Sequence, residues 1–321
     1  MRQAGRYMAE YRAIRARSSF LELCKNPEAA AEVTLQPVDK LGVDAAILFA
    51  DILLIVEPLG VGLTFGAGEG PSITRPVRGE ADVARLGPVD VDSALGFVFD
   101  TVGRVRKALA GRVPLIGFAG APFTVASYMV EGGASRDYLH VKRLMYDTPA
   151  AWAKLMDVLV DATARYLNGQ IAAGAEAVQI FDSWVGALSP ADYRTFVLPH
   201  MKALFAKLTP GTPAIHFGTG TAALLPLLRE AGGDVIGLDW RVELAAGWAS
   251  VGHDVAVQGN LDPAVLLAAP AYIRTRAQAI LQAAGGRPGH IFNLGHGIHK
   301  ETPVEHVKAL VDIVHELSAR R

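Results

Sequence analysis

The chain has 321 residues, 51% of them hydrophobic and 20% charged, and a formal net charge of -1 at pH 7. This composition excludes a disordered chain, and the balance of charge excludes a nucleic-acid binder that works through a global positive field. The lone cysteine, Cys24, excludes an intrachain disulfide and a thiolate zinc cage, no apolar run approaches the ~18 residues of a membrane span, and no apolar signal-peptide core follows the start.

In chain order, the first element is a loop, MRQAGRY, followed by further arginines, so that Arg2, Arg6, Arg12, Arg15 and Arg17 fall together. A solvated basic arm is one reading. The glycine inside MRQAGRY favours a shaped loop that meets an anion locally. An amphipathic helix is predicted over 27–42, and a strand, DAAILF, over 44–49, with Asp51 just past its end. The segment 62–79 reads as an inserted hairpin. A strand at 113–119 runs into GFAGAPFT and toward Tyr128 in a helix-like stretch. A long helix over 149–174 precedes a strand at 177–183, which carries Phe181, Asp182 and Ser183 at its end. Helix 190–208, strand 213–218 and helix 222–232 follow, with His216 and the GTGT loop between the last two. Strands at 234–240, 254–260 and 290–296 bring Asp239, Trp240, Gly259, Asn260, Asp262 and the NLGHG turn, and a helix over 303–319 completes the chain. Proline opens several of these helices and glycine closes many, as helix ends favour.

Apolar strands alternating with amphipathic helices mean a parallel sheet covered on both faces. The count of βα units predicts one α/β domain over 1–321, a (β/α)8 TIM barrel with its eighth strand unlocated. A doubly wound sheet would want GxGxxG after the first strand, and FADILLIVEPLG does not fit. In a barrel the chemistry gathers at the C-terminal strand ends, so the residues named there converge on one mouth. Each has a plainer reading. Asp51 and Ser183 are also of the type that caps a following turn, Tyr128 of the type that packs with a satisfied hydroxyl, and His216 of the type buried on an apolar strand. GTGT could cradle a phosphate with its amides, without a following Lys. His296, set between two glycines, is an odd core residue and favours function.

These stretches resemble a known family. MRQAGRY with EYR is similar to the N-terminal signature of the uroporphyrinogen decarboxylases, and GFAGAPFTVASYMVEGG (117–133) to their second signature. FADIL, FDSW, QGNLDP and NLGHGI follow in the family's order, over essentially the whole chain. The family's signature begins upstream of its methionine, so the start at Met1 is expected to be trimmed. The scarce cysteine and the missing signal core lead to the expectation of a cytoplasmic protein, and the resemblance implies a (β/α)8 barrel and a homodimer with facing mouths. The implied reaction removes four CO2 from the acetate arms of uroporphyrinogen III to give coproporphyrinogen III, with no cofactor and no metal. Uroporphyrinogen carries eight carboxylates, which bidentate, permanently charged arginines suit. Carried over residue by residue, Asp51 is the catalytic carboxylate, held near the pyrrole N–H groups to stabilise a ring that becomes cationic on protonation at carbon. Arg2 and Arg6, with Arg15, bind carboxylates; Gln3, Ala4 and Gly5 add backbone contacts. Phe118 and Phe181 pack on the macrocycle, while Tyr128, Ser183 and His296 bind its arms. Arg12 and Arg17 are expected as surface charges. The alternative is a related barrel class, the zinc-dependent methyltransferases of corrinoid proteins. Its thiolates would fall where this chain reads His216-Phe217-Gly218 and Gly295-His296-Gly297.

Overall fold

The computed structural model describes residues 3–66 and 70–319. Among these, nine strands run in chain order: β1 Ala46–Ile47, the hairpin β2 Leu63–Gly66 and β3 Gly70–Ile73, then β4 Leu115–Gly120, β5 Ala177–Asp182, β6 Ala214–Gly218, β7 Val235–Gly237, β8 Ala256–Leu261 and β9 His290–Leu294. β2 and β3 pair antiparallel, as the inserted hairpin requires. The other seven form one parallel sheet in the order β1-β4-β5-β6-β7-β8-β9. Sequence neighbours pair throughout that sheet, with helices in the connections. This is the TIM-barrel-like α/β architecture that the alternation predicts.

The expected eighth strand has no counterpart among the described residues. The outer edge of β1 is met instead by one side chain. Gln3 donates from Nε2 to Ala45 O at 2.7 Å and accepts the Ile47 N–H at 2.9 Å through Oε1. An amide has the donor and acceptor of a peptide group, so Gln3 supplies what a strand would have supplied. Ala4, Tyr7, Met8 and Tyr11 pack beside it in one apolar cluster with Leu261 of β8, Leu294 of β9, and Val33 and Leu41 of the helix Pro27–Leu41. The N-terminal segment therefore fills the space between the two ends of the sheet.

β1 also ends early, at Ile47 where the apolar run continues to 49. This leaves Phe118 of β4 without a strand partner on that side. Gln170, fully buried on the helix Pro149–Ala173, fills the place. Its Oε1 accepts the Phe118 N–H at 2.8 Å and its Nε2 donates to Phe118 O at 2.9 Å.

The predicted helix over 190–208 is two helices, Pro190–Phe196 and Leu198–Ala206. Pro199 lacks an N–H and its ring clashes with the preceding turn, so the helix restarts there with Pro199 in its first turn. Likewise 222–232 is a 3-10 turn, Ala222–Leu224, followed by a helix Leu225–Ala231 that begins around Pro226. Fully buried Trp152 locks the break at 197, donating its Nε1–H to Phe196 O at 2.9 Å. Inside the barrel, Gln258 Nε2 of β8 donates to Gln179 Oε1 of β5 at 3.4 Å, a polar contact between strands that are not neighbours in the sheet.

Candidate active site

Alternation along β5 sorts its residues by face. Phe181 meets Phe118 of β4 edge-on at 5.5 Å and Phe217 of β6 at 6.0 Å, and forms with them an aromatic wall toward the C-terminal ends of the strands. Asp182, one residue on, turns the other way, into the helix layer. There its Oδ1 accepts from Thr124 Oγ1 at 2.8 Å. Ser183 returns to the side of Phe181 and is half-buried. It does not cap the next helix, where Ser189 takes that role. Tyr128, on the helix Pro122–Glu131, stacks its ring on the Trp184 indole at 3.9 Å and 30°. Phe118, Phe181, Ser183 and Tyr128 thus lie on one side of the mouth.

The part of the mouth past β1 and β9 carries the ions. Asp51 follows β1, half-buried, and its Oδ1 accepts the Leu53 N–H at 2.9 Å. The carboxylate therefore caps the turn that follows, which also fixes its position. Burial pushes the nearby Cys24 thiol up; the Asp51 charge adds to this and the Arg15 charge opposes it. Both charged groups are thus within electrostatic reach of one buried thiol. Arg15 is half-buried, donates to Ser18 O and lies over the Phe20 ring at 5.9 Å. Arg2 lies outside the described residues. Of the next three, Gln3 props β1, and its carbonyl accepts from Tyr7 Oη at 2.6 Å. Ala4 and Gly5 are buried, and Gly5 O accepts the Met8 N–H at 3.0 Å.

Arg12 is more than a surface charge. Its Nη1 donates to Arg6 O at 2.8 Å and Tyr7 O at 3.0 Å, and so holds the turn that presents Arg6. Sequence spacing cannot separate an arginine that binds a ligand from one that binds its own loop. The exposed Arg6 side chain and His296 line one pocket of about 390 Å³, together with Gly5, His299 and Lys300. His296 meets the Trp240 ring edge-on at 5.8 Å, and the Arg241 guanidinium covers that ring at 3.8 Å. Gly295 makes this approach possible, since a Cβ there would sit 2.4 Å from Trp240 N.

Other strand-end candidates serve the frame. Gly220 of GTGT gives its N–H to Asp239 Oδ2 at 2.6 Å, so an internal carboxylate occupies the loop that could have cradled a phosphate. Asp239 also binds the Arg241 N–H at 3.0 Å and Nη1 at 2.7 Å. Asn260 Nδ2 donates to Asp239 O at 2.9 Å and Val242 O at 2.6 Å, while Asp262 caps the Ala264 N–H at 2.9 Å. His216 is fully buried against the helix layer, its Nδ1 3.3 Å from Leu228 O, and burial lowers it to about 4. Reading by strand ends missed Gln170, Thr124 and Trp184, and took Arg12 for a surface charge. Thr124, Trp184 and Arg12 lie inside the quoted motifs GFAGAPFT, FDSW and EYR.

A profile of the family described as uroporphyrinogen decarboxylase (URO-D) matches residues 1–317. A uroporphyrinogen decarboxylase of Carboxydothermus hydrogenoformans is 58% identical over 320 residues, covering 99% of this chain and 91% of the relative. One from Sorangium cellulosum is 57% identical over 318 residues, with 99% and 91% covered. Among solved structures, a methyltransferase from Methanosarcina mazei superposes with a TM-score of 0.80 at 21% identity, covering 94% of this chain and 90% of that one; this shows the fold alone. With the family profile matched from end to end and full-length relatives above half identity, the chain belongs to the uroporphyrinogen decarboxylase family.

Proposed function

We propose that this chain decarboxylates the four acetate arms of uroporphyrinogen III, giving coproporphyrinogen III and four CO2, in tetrapyrrole biosynthesis. The observation that carries this is the 58% identity to a uroporphyrinogen decarboxylase over 99% of the chain. The methyltransferase reading is weaker. It rests on a likeness of fold at 21% identity. The His216 ring, which would head its ligand set, is buried with Nδ1 beside a backbone carbonyl.

The chemistry suits two unlike walls. A pyrrole can take up the electrons of the breaking C–C bond once it is protonated at the ring carbon beside the arm. CO2 then leaves, the electron pair flows into the cationic ring, a second proton turns the exocyclic carbon into a methyl group, and loss of the proton first added to the ring carbon restores the pyrrole. In our reading Asp51 stabilises the cationic ring from near its N–H groups, by electrostatics aimed at developing charge. Arg6, with Arg2 and Arg15, pairs the carboxylate arms. His296, Ser183 and Tyr128 hold further arms, and Phe118 and Phe181 pack against the flat face. The backbone of Gln3, Ala4 and Gly5 shapes the loop. Support for this assignment comes from the pocket shared by Arg6 and His296 and from the Phe118–Phe181 contact. We read residues 1–321 as one domain acting in the cytoplasm and, as the family resemblance implies, as a homodimer, the latter tested by sedimentation at micromolar concentration. An anaerobic assay with uroporphyrinogen III, following the stepwise loss of carboxyl groups by chromatography, tests the activity. Intact substrate after prolonged incubation would overturn it.

A further inference from the structure

Thr124 stands in the first turn of the helix Pro122–Glu131, where no helical carbonyl lies four residues earlier. Thr34, Thr101 and Ser127 each donate back to the carbonyl four residues earlier, on Ala30, Phe97 and Phe123. That is the usual outlet for such a group. Thr124 instead gives its proton to Asp182 Oδ1 at 2.8 Å, and its oxygen accepts the Trp184 N–H at 3.3 Å. A hydroxyl can rotate, and committing its proton to a carboxyl aims its lone pairs elsewhere. Here the Trp184 amide receives one. The Trp184 indole then lies on the Tyr128 ring at 3.9 Å, with Tyr138 edge-on at 5.3 Å.

Asp182 occupies a costly place. It is fully buried, and its Oδ2 has no hydrogen-bond partner among the described residues. An apolar residue would pack there at lower cost if tying strand to helix were the only need. The Thr124 hydroxyl joins Asp182 and Trp184 of FDSW to the Tyr128 helix, beside the backbone bond from Ala121 N–H to Phe181 O at 2.9 Å.

We propose that Asp182 is a positioning residue for substrate binding, which acts through Thr124 to fix the Trp184 indole and, by stacking, the orientation of Tyr128 at the mouth. This rests on the reading that Tyr128 touches the porphyrinogen. Phe118 and Phe181 on the adjoining wall do not depend on it. Asp182 itself reaches no substrate, and a carboxamide that still accepts the Thr124 hydroxyl serves as well.

The test is a set of variants assayed anaerobically with uroporphyrinogen III: Thr124→Val, Thr124→Ser, Asp182→Asn, Tyr128→Phe, and Thr124→Val combined with Tyr128→Phe. Near-UV circular dichroism and thermal unfolding are measured on each. Thr124→Val, of equal volume, should lower kcat/KM by roughly three- to tenfold, the value of one hydrogen bond, mainly through KM. It should also change the aromatic dichroism of the Trp184–Tyr128 pair. Thr124→Ser and Asp182→Asn should keep both near wild type. In the Tyr128→Phe background, Thr124→Val should cause no further loss, because coupled residues are not additive. Additive losses, or wild-type kcat/KM in Thr124→Val, would overturn the proposal. A wild-type enzyme without turnover would sink the decarboxylase reading itself. Normal turnover in Tyr128→Phe, with wild type active, would remove Tyr128 from the substrate and the positioning role with it.

Discussion

The two sides of the mouth are built differently. On the aromatic side, β4–β5 and β5–β6 each hold five consecutive register pairs, and from this ladder come Phe118 and Phe181, with Ser183 just past its end. On the ionic side, β1 pairs with β4 at two positions only, and Asp51 follows it. The segment that carries Arg6 is held by side chains: Gln3 on the β1 edge, Arg12 on two loop carbonyls, and an apolar cluster beneath. A flat macrocycle needs a rigid wall to lie against, which a deep ladder provides. Charged groups must reach around the ring to its arms, which a regular strand does poorly. Side-chain amides let the ladder stop short without stranding peptide groups.

Breaking the props compares the two sides directly. Gln170→Leu leaves the Phe118 N–H and C=O buried without partners. At about 1–3 kcal/mol for each stranded group, it should destabilise the protein by about 2–5 kcal/mol in urea unfolding. Gln3→Leu acts at a half-buried edge that water can reach, and should cost about 1–2 kcal/mol. Equal costs would mean that the two amides are not standing in for strands at different depths.

Asp51→Asn sharpens the contrast from the ionic side. It keeps an oxygen for the Leu53 N–H and removes the charge, so turnover should fall by roughly a hundredfold or more while the unfolding midpoint stays close to wild type. Near-normal turnover would remove Asp51 from the chemistry.

Arg6→Ala should weaken binding of uroporphyrinogen by roughly ten- to a hundredfold, and coproporphyrinogen, with four fewer carboxylates, by less. Arg6→Lys should restore only part, since an ammonium lacks the planar fork. Equal losses for the two ligands, measured anaerobically, would make the loop a general basic surface.

The smallest effect is in pH, and it sits behind the aromatic side. Burial raises Asp182 from 3.8 to about 7, so its contribution to stability is full below about pH 3.8 and is lost as pH rises to about 7. Burial lowers His216 from 6.5 to about 4, so its contribution is full above about pH 6.5 and is lost as pH falls toward 4. The two slopes oppose each other. Asp182→Asn should therefore gain melting temperature relative to wild type as pH rises from 4 to 7; a constant difference would mean that Asp182 does not titrate there.

Much of this was readable from residues alone. Apolar runs ending in Asp51, Ser183 and His296 announce strands and a mouth, and every barrel strand begins within two residues of its predicted start. The early end of β1 was not readable, because a ladder's length depends on its neighbour. The two amide props bridge residues 42 and 52 apart in sequence, where no local pattern reports them. Nor could spacing tell Arg12 from Arg6. Asp182 is the instructive near miss. Period-two alternation already puts it on the face opposite Phe181 and Ser183, and that alone argues for a role in the helix layer.

Cys24 gives the ionic side a built-in clock. Cys24 is 2% exposed, on the helix Phe20–Cys24, and burial with the Asp51 charge pushes its thiol up. Alkylating reagents attack the thiolate, so the folded protein should label slowly. Modification then becomes a timed record of how often this half of the molecule opens. Because the sequence holds no second cysteine, the record comes from one place and requires no engineered probe. A ligand that pins the arginine loop should slow that clock, and one that rests only on the aromatic wall should leave it running at its own rate.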